Sequence, residues 1–284
     1  MASQNIRATR IAPSTAGALT LEVLRRRKLS PHFSRVTLGG DDLARFNHLG
    51  YDQWFRLFLP TDTGSAATSS LSRMPDKLGT LDYVKYLMIN KSVRPILRNY
   101  TVRQFRPAGV DAAELDVDFV LHPPTAEADH SGPAASWATS CSPGDRVAIL
   151  DEGASYNPPA SAGDRVVLVA DESGLPALAG ILASLPPDAR GRAVIEIPDQ
   201  DDRQRLDHPD GVVVNWIIRA DDHAVPGQAA LAAVVGSELP AAPFYGFVVG
   251  EQALATGVRR HWVAAGVPKH HITFCGYWRH GAHG

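Results

Sequence analysis

Cysteine is almost absent from this chain of 284 residues. Cys141 and Cys275 lie far apart in the sequence, and no Cys-x-x-Cys motif occurs, which excludes a disulfide framework. The N-terminal residues, MASQNIRATRIAP, lack the apolar core of a signal peptide. We therefore expect a protein that works in the reducing cytoplasm.

Long apolar runs and an excess of one charge are missing as well. No apolar run approaches the length that a membrane span needs. The 28 Lys and Arg residues are balanced by 30 Asp and Glu, a formal net charge of −2, so electrostatics give no reason to expect nucleic acid. The basic run RRRK at residues 25–28 lies in a strand-like segment and is explained as a solvated strand end. We expect a monomer with neither a membrane span nor a nucleic-acid partner.

The first half of the chain has the pattern of an antiparallel β structure. Its fifth strand-like segment alternates Leu115, Val117 and Phe119 with Asp116 and Asp118. Many short strands between Gly and Pro turns suggest a small antiparallel barrel. The strand-like segments are ALTLEVLRRRKLS, FSRVTLGG, YDQWFRLFLP, LRNYTVRQF, ELDVDFVLH and GDRVAIL.

The second half follows a connector rich in Pro, Gly and Ser, DEGASYNPPASAGD. Apolar strands then alternate with helical segments, which predicts a mainly parallel sheet covered on both faces. A single core rarely grows to the size of this chain, so we expect two domains, residues 1–155 and 156–284. Ligands of parallel sheets bind at the carboxyl ends of the strands, which are here ADESGLP, PDQDD, RADD, VGEQ and GYWRHG.

The hexapeptide RNYTVR at residues 98–103 combines cations with an aromatic ring. Side chains alternate along a strand, so Arg98 and Tyr100 would share one face, and Thr101 and Arg103 the other. A cation beside a flat aromatic ring could hold an anionic planar ligand. An edge strand with solvated arginines has the same pattern, and the residues alone leave both explanations open.

Three other motifs are candidates for chemistry. Pro133 is expected at the first helical position of SGPAASWATS, where free amide groups can bind an anion; a plain connecting helix explains that stretch equally well. The fingerprint G-x-G-x-x-G is absent, and ADESGLPAL stands in its place, with Gly174 permitting a tight turn. The adjacent His270 and His271 would point to opposite faces of a strand, so we expect a solvated strand start rather than a metal site.

Seven motifs occur in an order that resembles the siderophore-interacting protein family, the FAD-containing ferric-siderophore reductases: RNYTVR, DVDFVLH, SGPAASWA, PGDRV, DESGLPAL, VVGEQ and GYWRHG. That family is similar in fold to ferredoxin–NADP reductases. The resemblance implies a flavin-binding antiparallel β-barrel of the Greek-key type, followed by an α/β nicotinamide domain with a mainly parallel sheet. It covers most of the chain between residues 51 and 281.

The resemblance also implies a set of binding residues. Arg98 would face the FAD pyrophosphate, Tyr100 the junction of the ribityl chain and the ring, and Thr101 the isoalloxazine edge. The remaining cofactor contacts would be Phe119, Val120 and His122 beside ribose and adenine, Gly132, Pro133, Ala134 and Ala135 at the pyrophosphate, Asp171 and Ser173 in a turn that meets the flavin, and Gly250, Glu251, Tyr277 and Trp278 near the nicotinamide. Arg56 and Arg103 would form a cationic mouth for an anionic ferric siderophore.

By this resemblance, the protein is an enzyme that uses FAD, with NADPH or NADH as electron donor, to reduce ferric siderophores and release ferrous iron. The cofactor carries such chemistry, so we expect no catalytic side chain and no metal ligand from the protein. Two alternatives stay open. One is a general NAD(P)H flavin reductase that serves a protein or a quinone, and the other is a siderophore carrier or sensor that keeps the fold without turnover.

Overall fold

The computed structural model describes residues 4–15, 17–60, 71, 86, 88–90, 94–121, 132–221, 224–241 and 243–281. The chain divides into two compact units. The antiparallel unit comprises Ala12–Leu49 and Gln53–Gly153, and the parallel unit comprises the described residues up to Ile11, Gly50–Asp52, and those from Ala154 onward. The domain boundary expected between residues 155 and 156 stays a prediction.

Strands form most of the antiparallel unit, and strands and helices alternate in the parallel unit. The strands are β1 Leu19–Ser30, β2 Phe33–Gly39, β3 Trp54–Leu59, β4 Ile96–Thr101, β5 Gln104–Arg106, β6 Glu114–Val120, β7 Arg146–Gly153, β8 Arg165–Ala170, β9 Arg190–Ile197, β10 Val212–Ile218, β11 Tyr245–Glu251 and β12 Ile272–Trp278. The helices are α1 Ile6–Thr9, α2 Pro133–Ser140, α3 Leu175–Ser184, α4 Gln228–Val235 and α5 Gln252–Ala264. Within the described part of the chain, no helix combines the length and hydrophobicity that a bilayer crossing requires.

The antiparallel unit contains a seven-stranded sheet in the order β4-β3-β7-β1-β2-β6-β5. Strands β1 and β2 form a hairpin around Pro31 and His32, as their sequence predicts, with Ser30 opposite Phe33. All neighbouring strands are antiparallel. The antiparallel architecture of the first half is therefore confirmed, with β4 and β5 at the two ends of the hydrogen-bonded order.

Strand β6 is buried on both faces. Leu115 and its apolar neighbours enter the core, as their alternation predicts. Asp116 and Asp118 on the opposite face are also buried, because the guanidinium of Arg106 binds Asp116 and that of Arg35 binds Asp118. Paired guanidinium groups thus supply the hydrogen bonds that buried carboxylates need.

The parallel unit contains a five-stranded sheet in the order β10-β9-β8-β11-β12. All its strand pairs are parallel. The central strands are continuously apolar, which a sheet covered on both faces requires; every residue of β11 is buried. Helix α5 packs against β11 and β12, α3 packs against β8, and α4 packs against β9. The parallel sheet predicted for the second half is confirmed.

The strand start expected at His270 and His271 is wrong. Lys269–His271 form a 3₁₀ turn, and β12 begins only at Ile272, where the apolar run starts. His271 is buried rather than solvated, with its Nε2 atom 2.8 Å from the hydroxyl oxygen of Ser161. Pro268 fixes the extended backbone immediately before the turn.

Candidate functional site

The residues RNYT of the hexapeptide form the end of β4. Strand β4 pairs with β3 in a register that places Phe55 opposite Tyr100 and Trp54 opposite Thr101. In the described pairing, no strand joins the other edge of β4. Arg98 and Tyr100 share one face of the strand, and Thr101 lies on the other. One ligand could therefore reach all three only by contacting both faces of this strand.

Tyr100 belongs to a row of aromatic rings. Its ring centroid lies 4.4 Å from that of Phe119 in β6, which lies 5.7 Å from that of Trp137 in α2. Burial raises the pKa of the Tyr100 phenol above its ordinary value. Val120 ends β6 and is half-buried, whereas the predicted contact His122 lies outside the described residues. The structure thus brings Tyr100 and Phe119 into direct contact.

Helix α2 begins as the sequence predicts. Gly132 precedes the helix and Pro133 is its first residue; both are exposed, whereas Ala134 and Ala135 are buried. Proline costs nothing at this position, because the first amide groups of a helix have no partner within it. The remaining first-turn amides can bind an anion. Helix α2 packs against β1, β2, β4 and β6, so its start and the end of β4 belong to the same unit.

The arginines of this unit differ in how their charge is balanced. The Nε atom of Arg56 lies 2.7 Å from a carboxylate oxygen of Glu152, and that of Arg103 lies 3.4 Å from one of Asp118. Arg98 is exposed and donates to the carbonyl oxygen of the preceding residue at 2.8 Å. Among the described residues, no carboxylate pairs with Arg98. Carboxylates thus partly neutralise the charges of Arg56 and Arg103, whereas the hydrogen bond of Arg98 is to a backbone carbonyl oxygen.

In the parallel unit, Asp171 joins two strand ends. It follows β8, is wholly buried, and accepts hydrogen bonds from the amide and hydroxyl of Ser173 at 2.9 and 2.5 Å. Its other carboxylate oxygen accepts the amide of Glu251 at 2.6 Å. Burial raises the pKa of Asp171. The structure thus brings Asp171 and Ser173, which the family resemblance places in a turn that meets the flavin, together with Glu251, which it places near the nicotinamide.

Gly250 makes this arrangement possible. Its φ is +132°, which L side chains rarely adopt, and a Cβ atom there would lie 2.6 Å from Cγ and Oδ2 of Asp171 and 2.7 Å from Oδ1. The backbone of β11 can approach the buried carboxylate only because residue 250 has no side chain. Since both oxygens of Asp171 accept protein donors, this carboxylate acts as an anchor for the strand ends.

Glu251, Tyr277 and Trp278 lie at the carboxyl ends of β11 and β12. Glu251 accepts a hydrogen bond from the amide of Ala253 and so caps α5, and it also accepts the amide of His280 at 3.2 Å. Trp278 lies opposite Glu251 in the β11–β12 register, and Tyr277 is 40% exposed. Two aromatic residues therefore stand at the edge where parallel sheets bind ligands.

A buried ion-pair network near the end of β8 was not predicted. Arg219 donates to Glu172 at 2.5 Å and to Glu196 at 2.9 Å. Glu196 also accepts the amides of Gly227 and Ala230, both at 2.9 Å. Burial and a neighbouring carboxylate charge raise the pKa of Glu172 to about 7. The sequence feature that could have indicated this network is Glu196, a glutamate inside the apolar strand GRAVIEI. A charged side chain in a buried strand needs a partner of opposite charge.

Asp52 is a second buried carboxylate with no motif around it. It is 2% exposed and accepts the amides of Ser155 at 2.9 Å and Tyr156 at 2.7 Å. Burial raises its pKa to about 6. These contacts join the segment Gly50–Asp52 to the start of the connector within the parallel unit.

Comparison with protein families gives two matches along the chain. A model described as the siderophore-interacting FAD-binding domain matches residues 22–156. A model described as the siderophore-interacting protein matches residues 163–281. The first match contains β4 and α2, and the second contains the carboxyl ends of β8, β11 and β12.

Individual proteins resemble the chain over nearly its whole length. An uncharacterized protein of Mycobacterium tuberculosis is 35% identical over 273 residues, which cover 92% of this chain and 89% of that protein. Ferric vibriobactin reductase ViuB of Vibrio cholerae is 27% identical over 240 residues, which cover 84% of this chain and 81% of ViuB. The crystal structure of a siderophore utilization protein from T. fusca has a TM-score of 0.73 at 29% identity, covering 96% of this chain and 97% of that one.

Proposed function

The chain belongs to the siderophore-interacting protein family, and on this premise we propose that it is a flavoenzyme that reduces ferric siderophores and releases ferrous iron. FAD would be its cofactor, and NADPH or NADH its electron donor. The similarity to ferric vibriobactin reductase supports this reaction class. The reducing cytoplasm as its location and the monomeric state stay predictions.

One observation carries the proposal: Arg98 is exposed, and no described carboxylate pairs with it. Other arginines near this strand, such as Arg56 and Arg103, are paired with carboxylates. An arginine side chain suits a diphosphate because its planar fork donates two parallel hydrogen bonds. The described contacts thus leave a cation beside the aromatic ring of Tyr100, at the place where the family resemblance puts the flavin.

The residues of the antiparallel unit fit FAD, an anionic ligand with planar ends. Arg98 and the first-turn amides after Gly132 would bind its pyrophosphate. Tyr100 would lie against the ring system, and Thr101 would offer its hydroxyl from the opposite strand face. When bound, FAD supplies hydride acceptance from a nicotinamide and single-electron transfer to Fe(III).

We propose further that the antiparallel sheet closes into a barrel. The ring of Tyr100 in β4 contacts that of Phe119 in β6, although β3, β7, β1 and β2 lie between the two strands in the hydrogen-bonded order. Just after β4, the amide of Arg103 donates to the carbonyl oxygen of Asp116 in β6 at 2.9 Å. Both contacts require a strongly curved sheet.

We assign the nicotinamide donor to the carboxyl edge of the parallel sheet. Gly250 and Glu251 would approach it through the backbone, because the Glu251 side chain already caps α5. Tyr277 and Trp278 would control access at the end of β12. Asp171 would act indirectly, by holding the end of β11 against the turn after β8.

The substrate would be the ferric chelate itself. Siderophores offer hard oxygen donors that suit Fe(III), and Fe(II) binds such donors much more weakly, so reduction frees the metal. Arg56 and Arg103 would attract an anionic chelate. Because each already faces a carboxylate, we propose that their contribution is modest.

The proposal is tested with purified protein reconstituted with FAD. Oxidation of NADPH and NADH is followed with a ferric siderophore present, while a chelator specific for Fe(II) captures the product. We expect nicotinamide oxidation that depends on the siderophore and is matched by captured Fe(II). Binding of the chelate without oxidation would identify a carrier, and equal rates with quinones or free flavin would identify a general flavin reductase.

A further inference from the structure

Trp54 carries a buried hydrogen-bond donor that has no partner within the described part of the chain. The indole Nε1 atom is buried and makes no hydrogen bond to any residue that the structure describes, although the residue as a whole is only half-buried. Leaving such a donor unpaired is unfavourable, because the buried N–H group has lost its hydrogen bond to water. Unpaired buried donors are uncommon in folded proteins, and a ligand is one way to satisfy them.

The position of Trp54 connects this donor to the proposed flavin site. Trp54 is the first residue of β3, directly opposite Thr101 in the β3–β4 pair. Residues opposite each other in an antiparallel pair point to the same face, with their Cβ atoms about 4.5–5.5 Å apart. On its other side Trp54 lies opposite Gly153 of β7, which has no side chain to offer a partner.

Trp262 provides a useful contrast. Its indole nitrogen is also buried without a partner, but its ring is wholly enclosed in the core of the parallel unit. Trp54 differs because the residue is only half-buried and lies beside a residue that the family resemblance assigns to the isoalloxazine edge.

We infer that Trp54 is a FAD-binding residue, whose indole N–H donates to an oxygen or nitrogen on the isoalloxazine ring next to the Thr101 hydroxyl. This inference rests on the proposed function, because it needs a bound flavin. It adds a donor from β3 to the contacts expected from β4. It also gives the indole N–H of Trp54 a hydrogen-bond partner.

The test compares Trp54→Phe with Trp216→Phe, a matched control on β10 that is also half-buried. Flavin-free protein is titrated with FAD, and the dissociation constant is read from the change in flavin fluorescence. We expect Trp54→Phe to raise it roughly tenfold, the effect of losing one hydrogen bond of this kind. Trp216→Phe should leave it unchanged.

Stability separates binding from packing. Phenylalanine keeps an aromatic ring at residue 54 and removes the unpaired donor, so the flavin-free Trp54→Phe variant should unfold at the same urea concentration as the parent or a higher one. A tryptophan that serves only packing would instead show a lower unfolding midpoint and unchanged FAD affinity. That result would overturn the inference.

Two further outcomes are distinguishable. If the unaltered protein binds no flavin, the proposed function and this inference both fail. If it binds FAD and Trp54→Phe binds FAD equally well, only the inference fails. If Trp54→Phe does not fold, the indole N–H resonance of Trp54 is followed by NMR in the unaltered protein. We expect this resonance to shift when FAD is added. A resonance that does not shift would refute the contact.

Discussion

Replacing Gly250 by alanine should destabilise the protein far more than an ordinary glycine substitution. The new Cβ atom would lie 2.6 Å from Cγ and Oδ2 of Asp171, at a φ of +132°. The unfavourable backbone conformation alone costs about 1–3 kcal/mol. Displacing Asp171 would also leave a buried carboxylate short of its amide donors, at about 1–3 kcal/mol for each lost partner. With one amide partner lost, the two costs together predict a decrease of about 2–6 kcal/mol in the free energy of unfolding.

Gly266→Ala is the matched control for this experiment. Gly266 also has a positive φ, +90°, but no atom lies within 4 Å of a Cβ built there. Its substitution should cost only the backbone term, about 1–3 kcal/mol. Urea unfolding of both variants gives the comparison. If Gly250→Ala were no less stable than Gly266→Ala, the Asp171 anchor would not hold the strand ends together as described.

Three further predictions concern single side chains. Arg98→Ala should weaken FAD binding roughly tenfold to hundredfold, the value of a charge-assisted hydrogen bond. The control is Arg27→Ala, which changes an exposed arginine on β1 and should leave the amount of flavin retained after dialysis unchanged. Equal flavin retention in the two variants would refute the role of Arg98. Folding raises the pKa of Asp52 from its ordinary value of 3.8 to about 6, so between these pH values the folded state binds more protons than the unfolded state. The free energy of unfolding should therefore fall by about 3 kcal/mol as pH rises through that window. Urea unfolding of Asp52→Asn should show no such fall, and a fall that persists in this variant would place the titrating group elsewhere. In steady-state assays, Arg56→Gln and Arg103→Gln should each raise the KM for an anionic ferric siderophore severalfold and leave the KM for a neutral one unchanged. Added salt should reduce the increase in KM, because it screens exposed charges. Equal effects on the KM values of both chelates would assign these arginines to the scaffold.

Local sequence patterns predicted most of the fold. The alternation in β6 identified its core face, and the proline of SGPAASWATS marked the first residue of α2. Continuous apolar strands predicted the parallel sheet. The order of the antiparallel strands could not be read in this way: β7, the last strand of its unit in sequence, lies between β3 and β1. Such pairings depend on contacts between distant segments, which a local pattern does not encode.

The site was predictable where a motif carries it and not where tertiary contacts create it. RNYTVR indicated β4, but only the register with β3 shows that Trp54 lies opposite Thr101. The network of Arg219, Glu172 and Glu196 joins residues from three separate strand ends, so no spacing along the chain reveals it. His271 was predicted to be solvated, and its contact with Ser161 depends on a residue 110 positions away.

The central claim is that a flavin bound to this protein passes electrons to a ferric siderophore, and one anaerobic experiment tests it most directly. FAD-loaded protein is first reduced with NADPH, the excess is removed, and a ferric siderophore is added while the flavin absorbance is recorded. Our account predicts that the oxidised flavin spectrum returns and that Fe(II) is captured in proportion, with no change when iron-free siderophore is added. A flavin that stays reduced in the presence of the ferric siderophore would contradict the account.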